Sequence, residues 1–346
     1  MKYVFTILLL IVFGIHASAQ KALFVNDNGL NAVNSDTMLN ALSSVAKKAA
    51  GISSYTHWNI KDSAGIVPNA SQLLKYDLVI WYCSTDGVGL RIWNESTAGN
   101  PDLVSYIQSG RPVWVIGQDI LYDQYTAPTS FKSGEFAYDY LGLSSYNVQS
   151  YVNDNSKGVA QLDRLNWASA SVNFPASIKW IFSELWYVDG CTPKSGVLEL
   201  YKMGPEGYAL EGAISMFHHL STTSKISVMS SFFDLALIDS YKNRVEFLGA
   251  GIQYLLDKTS ESHNSLGKTR WSIAPNPASS VKVTLLNING ASQVLVFDAL
   301  GKKVLHTDQS NGSTLELSLN HLPSGIYTVG VVDKKGEYTS KRFSIR

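Results

Sequence analysis

Two apolar runs of strand length, Leu78-Val79-Ile80-Trp81-Tyr82-Cys83 and Val113-Trp114-Val115-Ile116, flank a segment with helix punctuation. Asn100 stands at the N-cap position, Pro101 at the first helical position and Gly110 at the stop. Strand, helix and strand in that order predict a parallel βαβ unit, right-handed by the sterics of twisted strands. Such a unit leaves few folds open, because parallel strands need crossover connections and ligands then sit beyond the carboxyl ends of the strands. Here that edge holds Cys83, Ser84, Thr85 and Asp86 on one strand and Gly117, Gln118 and Asp119 on the other.

The flanking chain repeats the alternation. Residues 21–27 read as a strand, and a helix opens at Ser35 with Met38, Leu39, Leu42, Val45, Ala46 and Ala49 on the 3.6-residue period before Gly51. Residues 55–60 predict a second strand and residues 68–75 at most a short connecting helix. Residues 225–233 have buried-strand character, and residues 243–257 close the domain as a helix with Val245, Leu248, Ile252, Leu255 and Leu256 on one face. The pattern predicts an open α/β layer structure. Between these parts, from Leu121, it loosens: residues 136–142 suggest a helical turn, and residues 146–185 mix short strands with Asn, Ser and Pro. Residues 197–203 and 208–216 predict a hairpin through Gly204 and Gly207.

At 346 residues the chain has room for two domains. Lys2, the apolar run over residues 5–13 and Ala17-Ser18-Ala19 predict an export signal cleaved after Ala19 rather than a membrane anchor. The mature chain is expected to be exported and soluble, with no transmembrane anchor. A formal net charge of zero gives no electrostatic reason to bind nucleic acid. Cys83 and Cys191 are too few for a disulfide scaffold; Cys83 reads as a small buried side chain, and a Cys83–Cys191 bridge stays open at this level. Residues 258–270 have linker composition, and beyond them apolar residues alternate with polar ones in short runs separated by Ala299-Leu300-Gly301, Ser310-Asn311-Gly312 and Lys334-Lys335-Gly336. That spacing predicts a small β-sandwich over residues 271–346. The expected layout is thus a signal at 1–19, an α/β domain at 20–257, a linker and a terminal sandwich.

The last stretch carries Ile273-Ala274-Pro275-Asn276-Pro277, Val296-Phe297-Asp298 through Lys302, Leu322-Pro323-Ser324-Gly325-Ile326-Tyr327 and the terminal Lys341-Arg342-Phe343-Ser344-Ile345-Arg346. In that order it closely resembles the sorting domain of the type IX secretion system of Gram-negative bacteria. The resemblance implies that residues 271–346 engage that machinery as partner, that the protein crosses the outer membrane, and that this domain is usually removed.

Residues 21–257 resemble the class I glutamine amidotransferase-like domains of secreted bacterial proteins. The likeness rests on Lys75-Tyr76-Asp77 with the following strand, residues 103–110, Ile116-Gly117-Gln118-Asp119, Tyr140-Leu141-Gly142, Trp186-Tyr187-Val188-Asp189 and Arg244. It implies a flavodoxin-like, mostly parallel sheet with helices on both faces, and a nucleophile elbow after Ile116. Active relatives carry a cysteine there, made nucleophilic by a histidine, with amide groups holding the oxyanion. This elbow reads Gly117-Gln118-Asp119, so the resemblance carries no catalytic residue and no amidotransferase chemistry across.

Other candidates are weighed by what their positions permit. His218 and His219 are expected to be surface or loop residues; on a strand they would point to opposite faces and could not share a metal. His57 has no partner in sequence, and no cluster has zinc or calcium spacing, so no metal or cofactor is implied. Asp27, Asp86 and Asp119, with Asp123, fall at or just after strand ends. Asp27, Asp86 and Asp119, together with Gln118, form the candidate ligand-binding edge, whose ligand class is an extracellular glycan or protein. Trp81 and Trp114 read as core, whereas Trp93 and Trp186 invite sugar stacking. The reading is an exported binding or assembly protein. The alternative is an extracellular hydrolase acting on glycan or peptide through the carboxylates of that edge.

Overall fold

The computed structural model describes residues 20–346 apart from 29–31, 49–50, 85–87, 166–173, 222, 268–271, 279–281, 287, 289–290, 300–301, 309–313 and 334–337. The export signal, its cleavage point after Ala19, Asp86 and the turn at Ser310-Asn311-Gly312 lie outside the described residues. The chain divides into two units, Met1–Thr259 and Ser260–Arg346.

The first unit opens as the punctuation requires: β1 (Lys21–Asn26), α1 (Ala32–Lys47), β2 (Ser54–Asn59), α2 (Ala70–Leu73), β3 (Leu78–Ser84), α3 (Pro101–Gln108) and β4 (Val113–Gly117). Asn100 caps α3 by accepting from the backbone N–H groups of Asp102 and Leu103, and Gly110 takes the left-handed conformation, φ 85°, that ends it. The chain then changes character, through β5 (Thr129–Ser130), a π-helical turn (Ala137–Leu141), β6 (Leu143–Gln149), β7 (Gln161–Arg164), β8 (Ser177–Lys179), β9 (Asp189–Pro193), β10 (Leu198–Gly204) and β11 (Ile214–Ser221). It closes with β12 (Ile226–Ser231), a 3-10 turn (Leu235–Leu237) and α4 (Tyr241–Gly267), which continues into the stretch of linker composition.

All twelve strands form one sheet whose main path is β2-β1-β3-β4-β12-β11-β10-β7-β8, with β9 beside β11, β6 beside β9 and β5 beside β6. From β2 to β12 neighbours run parallel; from β12 to β8, and through β9, β6 and β5, they run antiparallel. The expectation of a flavodoxin-like, mostly parallel sheet with helices on both faces is therefore wrong. Nineteen strands stand against four α-helices among the described residues, and the large sheet is mixed. The physical reason lies between Leu121 and Ser231, where antiparallel neighbours such as β10 and β11 join through short turns and need no crossover helix.

Two cores cover the faces of this sheet. On one, Met38, Leu42 and Val45 of α1 and Leu248, Ile252 and Leu255 of α4 pack with Phe24, Ile80, Trp114 and Ile116. On the other, Leu103, Tyr106 and Ile107 of α3 pack with Val79, Trp81 and Val115. Burying each such side chain contributes about 1.5–3 kcal/mol. The contact of α4 with the sheet is close: a Cβ on Gly251 would lie 2.2 Å from Cη2 of Trp114, so only glycine lets the indole pass beneath the helix.

Beyond α4 the second unit is built of strands among the described residues. β13 (Ser272–Ala274), β14 (Lys282–Leu286) and β17 (Thr314–Ser318) form one sheet, and β15 (Ala291–Phe297), β16 (Lys303–Asp308), β18 (Gly325–Asp333) and β19 (Tyr338–Ile345) form another. Val283, Leu285, Val294, Val296, Leu317, Tyr327, Val329, Val331 and Phe343 share one core, as the two-residue alternation requires. The motif residues have structural work in it. Asn276 donates to the Arg342 carbonyl and accepts from the Ser344 N–H. Asp298 exchanges bonds with Lys302 across the turn, and the Tyr327 hydroxyl reaches the Pro323 carbonyl at 2.7 Å.

Candidate functional site

The carboxyl edge of β4 is shaped by a close approach. A Cβ on Gly117 would lie 2.8 Å from the Ser84 carbonyl oxygen and 2.9 Å from Cβ of Cys83, so a side chain here would push β3 and β4 apart. Gln118 N–H donates to that same carbonyl at 2.7 Å, and Asp119 then turns the chain through the left-handed region at φ 55°. The turn buries Gln118, whose Nε2 donates to the Trp186 carbonyl at 2.5 Å, while its Oε1 is buried without a hydrogen-bond partner. Buried polar atoms are nearly always satisfied, which makes this acceptor a marked spot.

Beside it, Nε2 of Gln149 donates to Oδ1 of Asp119 and, at 3.1 Å, to Oδ1 of Asp189. Asp189 is wholly buried and also accepts from the Tyr146 hydroxyl at 2.7 Å and the Leu121 N–H at 3.4 Å. Burial pushes its carboxyl up to about 6, against the opposing pull of those donors.

The predicted edge does not gather into one set. Asp27 is buried and accepts from Trp81 Nε1 at 2.8 Å, Arg91 N–H at 3.0 Å and Ile92 N–H at 2.8 Å. Desolvation nevertheless raises it to about 6. It borders a cavity of about 130 Å³ with Asn26, Asn28, Lys61 and Arg91. Asp123 ties a loop by accepting from the N–H groups of Gly89 and Leu90. Of the three expected positions among the described residues, Gln118 and Asp119 are placed against the Gln149–Asp189 network and Asp27 is not. Beneath the edge lies a carboxylate that the sequence did not single out, Asp234. It is buried and accepts from the Tyr82 and Ser84 hydroxyls, Asn34 Nδ2 and the Ala236 N–H, with its carboxyl raised chiefly by desolvation.

An exposed aromatic group adjoins Gln118. Trp186 is 50% exposed, the Tyr151 ring lies 4.8 Å from its centroid at 41°, and Tyr187 lies 5.3 Å from Tyr151. The indole is held in place: Nε1 donates to the Lys157 carbonyl at 3.3 Å, and a Cβ on Gly158 would come within 2.5 Å of Cδ1. Asp154 fixes the loop that supplies this seat, accepting from the Lys157 and Gly158 N–H groups and the Tyr208 hydroxyl. Around this ledge Tyr151, Asn155, Ser156 and Tyr187 all have left-handed backbones, at φ 72°, 60°, 60° and 61°. Each such residue costs about 1–2 kcal/mol, and strain of this kind collects at functional sites.

Several other expectations resolve here. Trp81, Trp93 and Trp114 are buried, so of the four tryptophans considered only Trp186 is available for stacking. His218 and His219 are not loop residues: both lie in β11. His218 is buried between the Tyr254 and Ser227 hydroxyls at 3.1 Å each, while His219 meets the Tyr140 carbonyl at 2.9 Å. Both cysteines are free and buried, and burial holds their thiols well above the ordinary range. Among the described residues no group of three or more His, Cys, Asp or Glu could hold a metal ion, and no helix is long and apolar enough to cross a membrane. Sequence reasoning missed Gln149, Tyr151 and Tyr187; the cue available was the density of Asn, Asp and Gly over residues 147–158, which signals an irregular loop.

Comparison with known proteins bears on the tail. Residues 272–346 match the family model described as a secretion system C-terminal sorting domain. The amidotransferase likeness of residues 21–257 stays with the motifs alone. No curated protein matches the chain. Among solved structures, a DUF3244 family protein with an immunoglobulin-like β-sandwich from Bacteroides vulgatus is 17% identical, over 19% of this chain and 77% of that one, at a TM-score of 0.18. The CBM51-2 and INT domains of Clostridium perfringens ZmpB are 20% identical over 20% of this chain, which spans only 17% of that structure's length, at a TM-score of 0.17. The Arg-specific cysteine proteinase gingipain R is 9% identical over 94% of this chain and 67% of that one, at a TM-score of 0.24. At these TM-scores none of the three carries an inference. The sorting tail does: this is a secreted or cell-surface protein of a Gram-negative bacterium, delivered by type IX secretion.

Proposed function

We propose that residues 20–257 are a binding or assembly module displayed outside the cell, joined through residues 258–270 to the sorting unit, and that ligand meets it at Gln118 and Asp119. One observation carries this reading. The turn after β4 holds a left-handed Asp119 and a buried acceptor, Gln118 Oε1, with no hydrogen-bond partner among the described residues, while Gln118 Nε2 donates to the backbone of a half-exposed tryptophan. An acceptor kept from water is satisfied by a ligand donor or a bound water. Bond cleavage is disfavoured because Asp27, Asp123 and Asp189 are already engaged as acceptors for backbone or side-chain donors. The elbow itself offers Gly117, Gln118 and Asp119, none of them a nucleophile for amidotransferase chemistry.

The hydrolase reading has one observation in its favour: a single amide nitrogen, Gln149 Nε2, touches the carboxyls of both Asp119 and Asp189, and Asp189 sits at about 6. A carboxyl raised in this way suits a general acid, but Asp189 is closed to solvent. The two readings separate on a panel of glycans and peptides. Saturable binding without turnover, weakened by Asp119→Asn, is expected; turnover that Asp119→Asn abolishes in a folded protein would establish the hydrolase instead. Delivery is tested apart from ligand. Deleting residues 272–346 is expected to leave a folded protein in the periplasm, and its normal arrival at the surface or in the medium would remove the sorting tail from the account.

A further inference from the structure

We infer that the Trp186–Tyr151–Tyr187 ledge is a stacking platform for a neutral hexopyranose unit of an extracellular glycan, a reading that rests on the β4 edge being a binding site. The ledge is rigid where a surface aromatic would ordinarily be loose. Half the Trp186 surface is open, yet its N–H is bound to Lys157, its ring edge lies against Gly158 and Tyr151 packs beside it. The peptide that follows Trp186 is fixed too, since Gln118 Nε2 takes its carbonyl and Tyr187 N–H donates to the Ser150 carbonyl at 3.2 Å. Four left-handed residues accompany this geometry, so the chain spends stability on holding an indole half in water. Packing does not account for that, because a core gains nothing from the exposed half of the ring.

The class of ligand follows from the surroundings. The face of an indole is electron-rich, and the C–H face of a pyranose is flat, apolar and slightly positive, so the two stack while the hydroxyls of the sugar point outward. Polar groups stand nearby to receive those hydroxyls: Asp119, which accepts from Gln149 and follows Gln118, the donor to the Trp186 carbonyl, together with the Lys157–Gly158 loop and Glu184, whose Cβ would lie 3.1 Å from a Cβ built on Gly158. Two carboxylates and one ammonium group leave no excess of positive charge for a uronic acid or a sulfated sugar, which argues for a neutral ring. Secretion places the ledge where glycans are abundant.

The test is native affinity electrophoresis of the mature protein through gels cast with neutral soluble polysaccharides (a β-glucan, a mannan, a xyloglucan) and with polygalacturonate as the anionic counterpart. Retardation by at least one neutral polymer is expected, with at least a tenfold loss of affinity in Trp186→Ala, partial retention in Trp186→Phe, and a several-fold loss in Gly158→Ala, which displaces the ring. Near-UV circular dichroism of each variant confirms that the loss is not unfolding. Failure of every neutral polymer to retard the protein, or stronger retardation by polygalacturonate, overturns the neutral-sugar assignment. If Asp119→Asn weakens binding but Trp186→Ala does not, the ledge is wrong and the edge stands. If a peptide array gives binding that Trp186→Ala removes while no polysaccharide does, the platform is a peptide site and the sugar inference fails.

Discussion

Strands β3 and β4 and the loop before β9 treat tryptophan in opposite ways. In and around β3 and β4, Trp81, Trp93 and Trp114 are buried, and their indole N–H groups end on Asp27, the Ile120 carbonyl and Ser231. Just before β9, Trp186 donates its N–H to the Lys157 carbonyl at 3.3 Å and yet keeps half its surface in water. β3 and β4 are covered on both faces by α1, α3 and α4, so their side chains have nowhere to go but inward. The antiparallel extension is built from hairpins and loops, and its backbone can present a side chain outward. One half therefore supplies rigidity and the other supplies display.

The comparison breaks first at Trp114. Replacing it with alanine empties the space beneath Gly251 and strands the Ser231 hydroxyl, and a loss of about 3–5 kcal/mol in unfolding free energy is expected by denaturant titration. A loss under about 1 kcal/mol would mean that the parallel half is not the rigid part.

The next effect is set by pH. Asp27 in the parallel half and Asp189 in the antiparallel half are both raised from 3.8 to about 6 by burial. The folded state then holds these protons more tightly than the unfolded one. Their contribution is full below the unfolded value near 3.8 and is lost as pH rises through about 6. Each is worth on the order of 3 kcal/mol across that window. Asp27→Asn should flatten the fall in stability between those limits by one group's share. An unchanged slope in chemical denaturation from acid to neutral pH would show that Asp27 is not protonated in the native state. Trp186→Ala gives the smallest effect, a change in stability within about 1 kcal/mol, because the half-exposed ring contributes little burial. A larger loss would make the ledge a structural element after all.

What the sequence made legible follows the same division. Asn100, Pro101 and Gly110 announced α3, and the unbroken apolar runs announced β3 and β4, because local rules govern a strand buried on both faces. The alternating Val283 and Leu285, or Val329 and Val331, marked the second unit equally well. The mixed sheet was not legible, since nothing in a run such as Leu143–Gln149 says which neighbour it pairs with or in which direction. The site shares that fate. Gln118 and Asp119 could be placed by position alone, but their partners Gln149, Trp186 and Asp189 come from 30 to 70 residues further on and meet them only through tertiary contacts. Asp27 was singled out for the same positional reason, and its bonds to Trp81 and the Arg91–Ile92 backbone were equally hidden in the sequence.

The two free thiols set a clock. A Gram-negative periplasm is kept oxidising by enzymes that act on any accessible cysteine, and a thiolate reacts far faster than a thiol. Cys83 lies within β3 and Cys191 within β9, both shut away once the strands are paired. Oxidation thus competes with folding only during the interval before each strand acquires its neighbours. Cys191 pairs with Ile214 and Tyr146, 23 and 45 residues away (214 − 191 and 191 − 146), whereas Tyr82 beside Cys83 waits for Ile116 and Asn26, 34 and 56 residues away (116 − 82 and 82 − 26). The later-closing thiol is the one that the race endangers, so the speed at which β3 finds β1 and β4 bounds how much of the protein leaves the periplasm intact.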